Sequence, residues 1–231
     1  MDCVTILRVN LKALLVLASN SPRRRNLLAL GNWTFDVIVS NVDETIQPGE
    51  TPAAYVLRLA EAKARAVAAA AREGQIIIGS DTTVVHQGEM LGKPRDADEA
   101  RSMLTRLRGG VHQVYTGLAA LRLADEKLVA DLCITDVPMR AYTDEEMEAY
   151  IQTGDPLDKA GAYAIQHPGL HPVEKLSGCF AGVMGLPLCH LVRTLRQLDV
   201  TPDTDVPANC RNYLQYQCSV SDAILRGGTV G

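Results

Sequence analysis

The sequence predicts an α/β fold built on a mixed sheet. Segments typical of strands alternate with segments typical of helices along most of the chain, which is the pattern of α/β proteins. A β-branched run within residues 75–80 is typical of a strand covered on both faces. Two long strand-like segments around a short polar turn in the middle of the chain indicate an antiparallel pair, so that the sheet would be mixed.

The N-terminal part of the chain is predicted to hold two strands joined by a helix. Residues 13–18 are apolar and predict a buried strand. The turn at residues 19–22 ends in a proline, which is favoured at the first position of a helix, and a helix is predicted over residues 23–30. Weak alternation over residues 35–40 predicts a second strand, and residues 41–50 predict a loop.

A long helix and a buried strand come next. Thr51 and Pro52 are residue types preferred at a helix start, and apolar residues recur at helical spacing as far as Gly74. The three isoleucines within residues 75–80 predict a strand that ends beside Asp81.

The second half of the chain repeats this alternation. An acidic residue three positions after an N-cap residue marks helix starts at Asp96 and Thr143. Residues 111–123 and 127–138 predict the paired strands, and helical spacing returns over residues 186–198.

Composition restricts the class of protein. With 231 residues, 47% of them hydrophobic and 22% charged, the chain has the composition of an ordinary globular protein. A net charge of −4 and 4% aromatic residues disfavour a nucleic-acid partner. No apolar run approaches the roughly 20 residues that span a membrane, so no membrane partner is expected. Six cysteines without metal-site spacing are typical of reduced thiols, which predicts a cytoplasmic protein.

The turn at residues 19–25 is the first candidate site. It follows a buried strand and enters a helix, where unpaired N–H groups attract anions. The two serine hydroxyls and three arginine guanidinium groups of this turn, among them those of Ser19, Arg23 and Arg24, therefore suit a polyphosphate, since arginine matches phosphate oxygens with two donors. The alternative is an ordinary capped helix whose arginines face solvent.

Acidic and basic side chains elsewhere complete a candidate catalytic set. Asp81, at the predicted strand end, could bind a cation or take a proton from water, and Glu44 in a loop is a second candidate carboxylate. Lys63 lies near the apolar face of its helix and needs an anion unless its side chain reaches solvent. Lys93 is a candidate phosphate contact, and Gln166 offers a donor and an acceptor to a base edge. For each of these residues, a purely structural or solvated role stays open.

These segments, in this order, resemble the Maf family of nucleotide pyrophosphatases over about residues 14–198. The resemblance rests on the motifs Ala18-Ser19-Asn20-Ser21-Pro22-Arg23-Arg24, Val42-Asp43-Glu44, Ala62-Lys63-Ala64, Ser80-Asp81-Thr82, Gly92-Lys93-Pro94, Tyr115-Thr116-Gly117, residues 158–166 and Gly185-Leu186-Pro187-Leu188. It implies a mixed, twisted sheet in two lobes around a central cleft, similar to the inosine triphosphate pyrophosphatases. It also implies a possible homodimer.

The resemblance further implies hydrolysis of a nucleoside triphosphate to the monophosphate and pyrophosphate with Mg²⁺ or Mn²⁺. Asp81 would be the general base, and Glu44 and Asp81 would contact the metal. The residues implied in phosphate binding are Ser19, Arg24, Lys63 and Lys93. The residues implied in substrate choice are Arg23, Thr82 and Gln166.

Residues 158–166 resemble the family branch that acts on dTTP and UTP, although His167 stands where that branch usually has glycine. A pyrophosphatase for 7-methyl-GTP or non-standard purine triphosphates, and a non-catalytic nucleotide-binding regulator of cell division, stay open as alternatives.

The expected organisation is an N-terminal extension (1–12), a catalytic domain (13–198) and a loosely ordered C-terminal tail (199–231), whose composition is rich in Thr, Asp, Pro, Asn, Gln and Ser.

Overall fold

The structure, a computed structural model, describes residues 15–228, where six strands form one sheet in the order β2-β1-β3-β5-β6, with β4 paired to β3. The strands are β1 (Leu15–Leu17), β2 (Phe35–Val37), β3 (Ile76–His86), β4 (Glu89–Leu91), β5 (Val111–Arg122) and β6 (Lys127–Pro138). The predicted N-terminal extension, the first residues of the first predicted strand and the last three residues of the tail lie outside the described residues.

Helices pack around this sheet. They are α1 (Pro22–Ala29), α2 (Pro52–Ala66), α3 (Ala97–Leu107), α4 (Asp144–Gln152), α5 (Phe180–Val183), α6 (Leu188–Arg196), α7 (Val206–Leu214) and α8 (Ser221–Leu225). Short 3₁₀ turns lie at residues 68–70, 155–158 and 160–162. No helix within residues 15–228 has the length and apolar character needed to cross a membrane.

The sheet is mixed, which confirms the fold class expected from the sequence. Strand β1 runs parallel to β2 and β3, while β5 is antiparallel to both β3 and β6. The apolar stretches of β1 and β3 are buried on both faces, as their unbroken hydrophobic character predicts.

Strand β3 is longer than the sequence predicts. It continues past residue 80 to His86, so Asp81 lies within the strand and not at its end. The β-branched residues that follow Asp81 extend the antiparallel ladder with β5, in which Asp81 faces Gly117. The parallel ladder with β1 ends at Ile78, so Asp81 still lies beyond the carboxyl end of the parallel pair, where ligands bind in open α/β sheets.

Helix α2 lies very close to the sheet because two glycines face it. A Cβ placed at Gly79 would be 2.0 Å from the carbonyl oxygen of Ala60, and one at Gly117 would be 2.3 Å from that of Val56. This close approach brings Lys63, on the same helix, down to the strand that carries Asp81. The helix begins at the predicted Thr51 cap but ends at Ala66, before the predicted stop at Gly74.

Residues 199–228 differ from the loosely ordered tail that their composition predicts. They form α7 and α8, and Val206 and Ile224 are fully buried. Cys210 and Leu214 pack against the main core from the same helix as Val206. A few apolar residues at helical spacing are enough to dock the segment, although most of its residues are polar.

Candidate active site

One cleft of about 770 Å³ opens where β1 ends and α1 begins. Its walls come from the start of α1, the loop after β2 and strand β3. The opposite wall comes from the 3₁₀ turns at residues 155–158 and 160–162 and from the residues that follow them. Every site residue predicted from the sequence lines this cleft, namely Ser19, Arg23, Arg24, Glu44, Lys63, Asp81, Thr82, Lys93 and Gln166. The fold thus gathers residues that are up to 147 positions apart, from Ser19 to Gln166, into one place, while their chemical roles stay predictions.

A lysine shared by two carboxylates lies at the floor of the cleft. Lys63 Nζ is 2.6 Å from Asp81 Oδ1 and 2.6 Å from Glu44 Oε1. Lys63 and Asp81 are 8% and 7% exposed, whereas the Glu44 side chain is about half exposed. Since a buried charge must be paired, the Lys63–Asp81 contact is what permits both groups to lie there.

The two carboxylates differ in proton affinity. Burial raises the pKa of Asp81 above its usual value, and the nearby charges of Lys63 and Arg24 offset only part of that effect. Burial acts in the same direction on Glu44, but the hydrogen bond and charge of Lys63, with the charges of Lys93 and Arg24, together outweigh it and lower the pKa of Glu44. Two carboxylates whose environments move their pKa values apart are suited to different tasks. The raised pKa favours Asp81 as the proton acceptor, and the lowered pKa favours Glu44 as a group that stays ionised.

Arg24 extends its guanidinium across the cleft from α1. Its Nε donates to the carbonyl of Gly185 at 2.8 Å, one terminal nitrogen donates to Thr82 Oγ1 at 3.2 Å, and the other donates to Ser19 Oγ at 3.4 Å. Burial lowers the pKa of Arg24, and the charge of Asp81 counteracts this. None of the three acceptors carries a charge, so the fixed cation remains available to an anion such as a phosphate.

Hydroxyl groups tie the cleft floor to the turn after α5. Ser80 Oγ lies 2.9 Å from the carbonyl oxygens of both Gly117 and Gly185. Thr82 Oγ1 and Thr116 Oγ1 are 3.1 Å apart, and Thr116 Oγ1 donates to the Gly182 carbonyl at 2.8 Å. The Gly185 carbonyl therefore accepts from Arg24 Nε and lies within hydrogen-bond distance of Ser80 Oγ, which positions it against β3.

The far wall combines ion pairs around one buried lysine with an exposed amide. Lys159 is 6% exposed, and its Nζ lies 2.8 Å from Asp155 and 2.5 Å from Asp158. Arg23 reaches Asp158 at 3.6 Å from the opposite side. Gln166 follows these turns on the exposed rim, where its amide can meet a ligand.

Several residues in the cleft wall or directly behind it were assigned no role from the sequence. Tyr55 donates to the Glu44 carbonyl at 3.0 Å, and burial raises the pKa of its hydroxyl to about 12. Thr116 and the Gly185 carbonyl connect Arg24 to the sheet. Lys159 forms ion pairs with the aspartates of the adjacent 3₁₀ turn. Thr116, Lys159 and Gly185 stand in the motifs behind the family resemblance, which was the available signal, whereas nothing in the sequence marks Tyr55.

The carboxylates suit a divalent cation only in part. Within residues 15–228, no three side chains of His, Cys, Asp or Glu come together in a way that could hold a metal ion. Glu44 and Asp81 provide hard oxygen ligands in one cleft with several cations. Mg²⁺ commonly binds through one or two carboxylates with substrate phosphates and water as the other ligands, and this donor set fits that arrangement.

The family model and the sequence relatives agree on one family. A family model described as "Maf-like protein" matches residues 14–198. The chain is 48% identical over 175 residues to a dTTP/UTP pyrophosphatase of Escherichia coli O157:H7, covering 75% of this chain and 87% of that protein. It is 47% identical over 184 residues to one of Bacillus cytotoxicus, covering 80% and 95%. Among solved structures, the Staphylococcus aureus Ham1 protein matches with 15% identity and a TM-score of 0.43, over 87% of this chain and 96% of that chain.

Proposed function

The chain belongs to the Maf family, and we propose that it is a nucleoside triphosphate pyrophosphatase that converts dTTP and UTP to their monophosphates and pyrophosphate. The observation that carries the proposal is the Asp81–Lys63–Glu44 cluster, which shares one cleft with the arginine at the start of α1. The proposed substrates follow the relatives named dTTP/UTP pyrophosphatases, which are 45% to 48% identical to this chain.

Asp81 is the proposed general base. It accepts a proton from a water molecule as that water attacks the α-phosphorus, and the bond between the α-phosphorus and the bridging oxygen breaks. A raised pKa makes Asp81 a stronger base than an ordinary aspartate while Lys63 still favours its ionised form.

The cations of the cleft have the complementary task. Arg24, Lys63 and Lys93 bind the phosphate chain and balance the charge that develops on the departing pyrophosphate. Arg24 is held by neutral acceptors before substrate arrives, so its orientation costs little at the moment of reaction. A divalent cation (Mg²⁺ or Mn²⁺), held by Glu44 and Asp81 together with phosphate oxygens, would polarise the phosphate and lower the pKa of water.

Substrate choice is proposed to come from the rim and the far wall. Gln166 is exposed and can present both a donor and an acceptor to the edge of a pyrimidine. Arg23, oriented by Asp158, and Thr82, held between Arg24 and Thr116, would set the position of the nucleoside. A cytoplasmic location and a homodimer stay predictions, and no nucleic-acid or membrane partner is proposed.

Pyrophosphate release tests this proposal. Purified protein with Mg²⁺ or Mn²⁺ is assayed on dTTP, UTP, CTP, GTP, ATP, ITP and 7-methyl-GTP, with Asp81→Asn as the matched control. Preference for dTTP and UTP, with monophosphate as the second product, supports the proposal. Preference for 7-methyl-GTP or ITP would retain the chemistry and replace the substrate. Binding of nucleotide without any release would favour the regulator.

A further inference from the structure

The segment 199–228, which we call the C-terminal clamp, lies beyond residues 14–198 that match the family model. We propose that this clamp positions the Arg24 guanidinium for the triphosphate, with Asn209 and Tyr216 as its positioning residues. The inference rests on the proposed function of the cleft. It follows from contacts of the clamp with both elements that hold Arg24, namely α1 and the segment that carries Gly185.

The first contact is with the C-terminal end of α1. Asn209 Nδ2 donates to the carbonyl of Leu30 at 2.9 Å and to Thr204 Oγ1 at 3.1 Å. Leu30 is the C-cap residue directly after α1, at the end where carbonyl groups have no partner within the helix. Because Arg24 lies on this eight-residue helix, a shift of its C-terminal end would move the arginine as well.

The second contact is with the residues that lead into α5. The Tyr216 hydroxyl lies 3.0 Å from the carbonyl oxygens of both Leu176 and Gly178, and its ring packs on Phe180 with the ring centres 5.4 Å apart. Ser219 adds a hydrogen bond of 2.9 Å to the Ser177 carbonyl.

Helix α5 carries this contact to the cleft. It spans only Phe180–Val183, and the turn directly after it presents the Gly185 carbonyl to Arg24 Nε at 2.8 Å. The arginine and its acceptor thus belong to two elements that the same clamp contacts. Their separation depends on the clamp as well as on the sheet, so loosening the clamp would let the guanidinium reorient.

The clamp is anchored independently of these contacts. Val206 and Ile224 are fully buried. Arg193 of α6 donates to the carbonyls of Ile224 at 3.2 Å and Gly228 at 2.6 Å, and it pairs with Asp131 of β6 at 2.6 Å. A segment held by α6, which is itself paired to β6 through Arg193 and Asp131, can transmit a constraint between α1 and α5.

Four cysteines line a small apolar pocket between the clamp and helices α5 and α6, and they offer a direct measure of docking. They are Cys179, Cys189, Cys210 and Cys218. Burial raises the pKa of the Cys210 thiol to about 12 and also raises that of Cys189, so both are thiols and react slowly while the clamp is docked. The rate of labelling by a thiol reagent therefore reports opening of the clamp, and the work uses a Cys3→Ser background.

The test compares Tyr216→Phe and Asn209→Ala with matched controls in the same segment, Tyr213→Phe and Asn212→Ala, whose side chains are exposed. We measure kcat and KM for dTTP, and Kd for dTTP carrying a non-hydrolysable α,β-imido bridge, well below each melting temperature. Each test variant should raise KM and Kd about three- to tenfold, as expected for one lost hydrogen bond. It should also speed thiol labelling, while the controls match the parent protein.

A double-mutant cycle separates positioning from general stability. In an Arg24→Lys background, Tyr216→Phe should add little further loss of affinity, because the group that it positions is gone. Full additivity of the two changes, or unchanged Kd in both test variants with faster labelling, would overturn the clamp proposal.

Binding measurements keep the two proposals distinguishable. If the parent protein binds the imido analogue or inorganic tripolyphosphate but releases no pyrophosphate, the proposed function fails. The clamp proposal is still supported in that case if either ligand slows thiol labelling, because a clamp that favours ligand binding must itself be stabilised by the bound ligand. If it releases pyrophosphate and the test variants behave as their controls, only the clamp fails. If it binds neither ligand, both proposals fail.

Discussion

Gly79→Ala tests how the close packing of α2 on the sheet supports the site. The added Cβ would lie 2.0 Å from the Ala60 carbonyl oxygen, although real Cβ atoms essentially never come within 3.0 Å of a non-bonded heavy atom from elsewhere in the chain. Helix α2 must therefore retreat by about 1 Å. Such overpacking costs about 1–3 kcal/mol, and for a chain of this size about 2–4 °C of melting temperature is lost per kcal/mol. The expected loss is thus about 2–12 °C.

The same displacement should weaken catalysis. Lys63 lies three residues after Ala60 on α2, and its 2.6 Å contact with Asp81 would lengthen toward the limit of a hydrogen bond. A misplacement of about 1 Å in a catalytic group can cost about 10²-fold in rate, so kcat/KM should fall by up to that factor.

Thermal unfolding and pyrophosphate release on the same preparations provide the measurement. Gly110→Ala is the control, because its Cβ would meet its nearest neighbour, the Leu107 carbonyl oxygen, at an ordinary 3.6 Å. It should melt at or slightly above the parent temperature with unchanged kinetics. If Gly79→Ala melts and reacts like Gly110→Ala, the claim that glycine sets the approach of α2 is refuted.

Three further substitutions address the chemistry. Asp81→Asn should lower kcat about 10²- to 10⁴-fold at temperatures where the variant stays folded, and full turnover would remove Asp81 as the base. Arg24→Lys keeps the charge but loses the planar guanidinium that donates to the Gly185 carbonyl and to Thr82 Oγ1. The Kd for the imido analogue of dTTP should therefore rise about tenfold. An unchanged Kd would show that charge alone suffices. Gln166→Ala should change the ranking of bases more than the rate on the best substrate, and an unchanged ranking would contradict a role in base reading.

The fold class and most element positions were predictable because they depend on local patterns. The apolar runs of β1 and β3, the Thr51 cap of α2 and the reciprocal capping of Thr143 and Glu146 at α4 are all found in the structure. The predicted C-terminal end of β3 was wrong because the last residues of this strand are stabilised by pairing with β5, which lies far along the chain. The order in residues 199–228 was missed for the same reason, since their few apolar side chains become informative only when the surface that buries them is known.

The sequence by itself determined the candidate side chains, because phosphate binding and proton transfer require particular residue types, and arginines at a helix start or a carboxylate after an apolar β-branched run are visible as motifs. The tertiary structure alone decided how those side chains act on one another. Lys63 becomes a partner of Asp81 only because α2 approaches β3 over Gly79, and that burial raises the pKa of Asp81. Arg24 meets the Gly185 carbonyl across 161 positions of sequence, a contact that no local pattern encodes because it depends on the packing of separate elements.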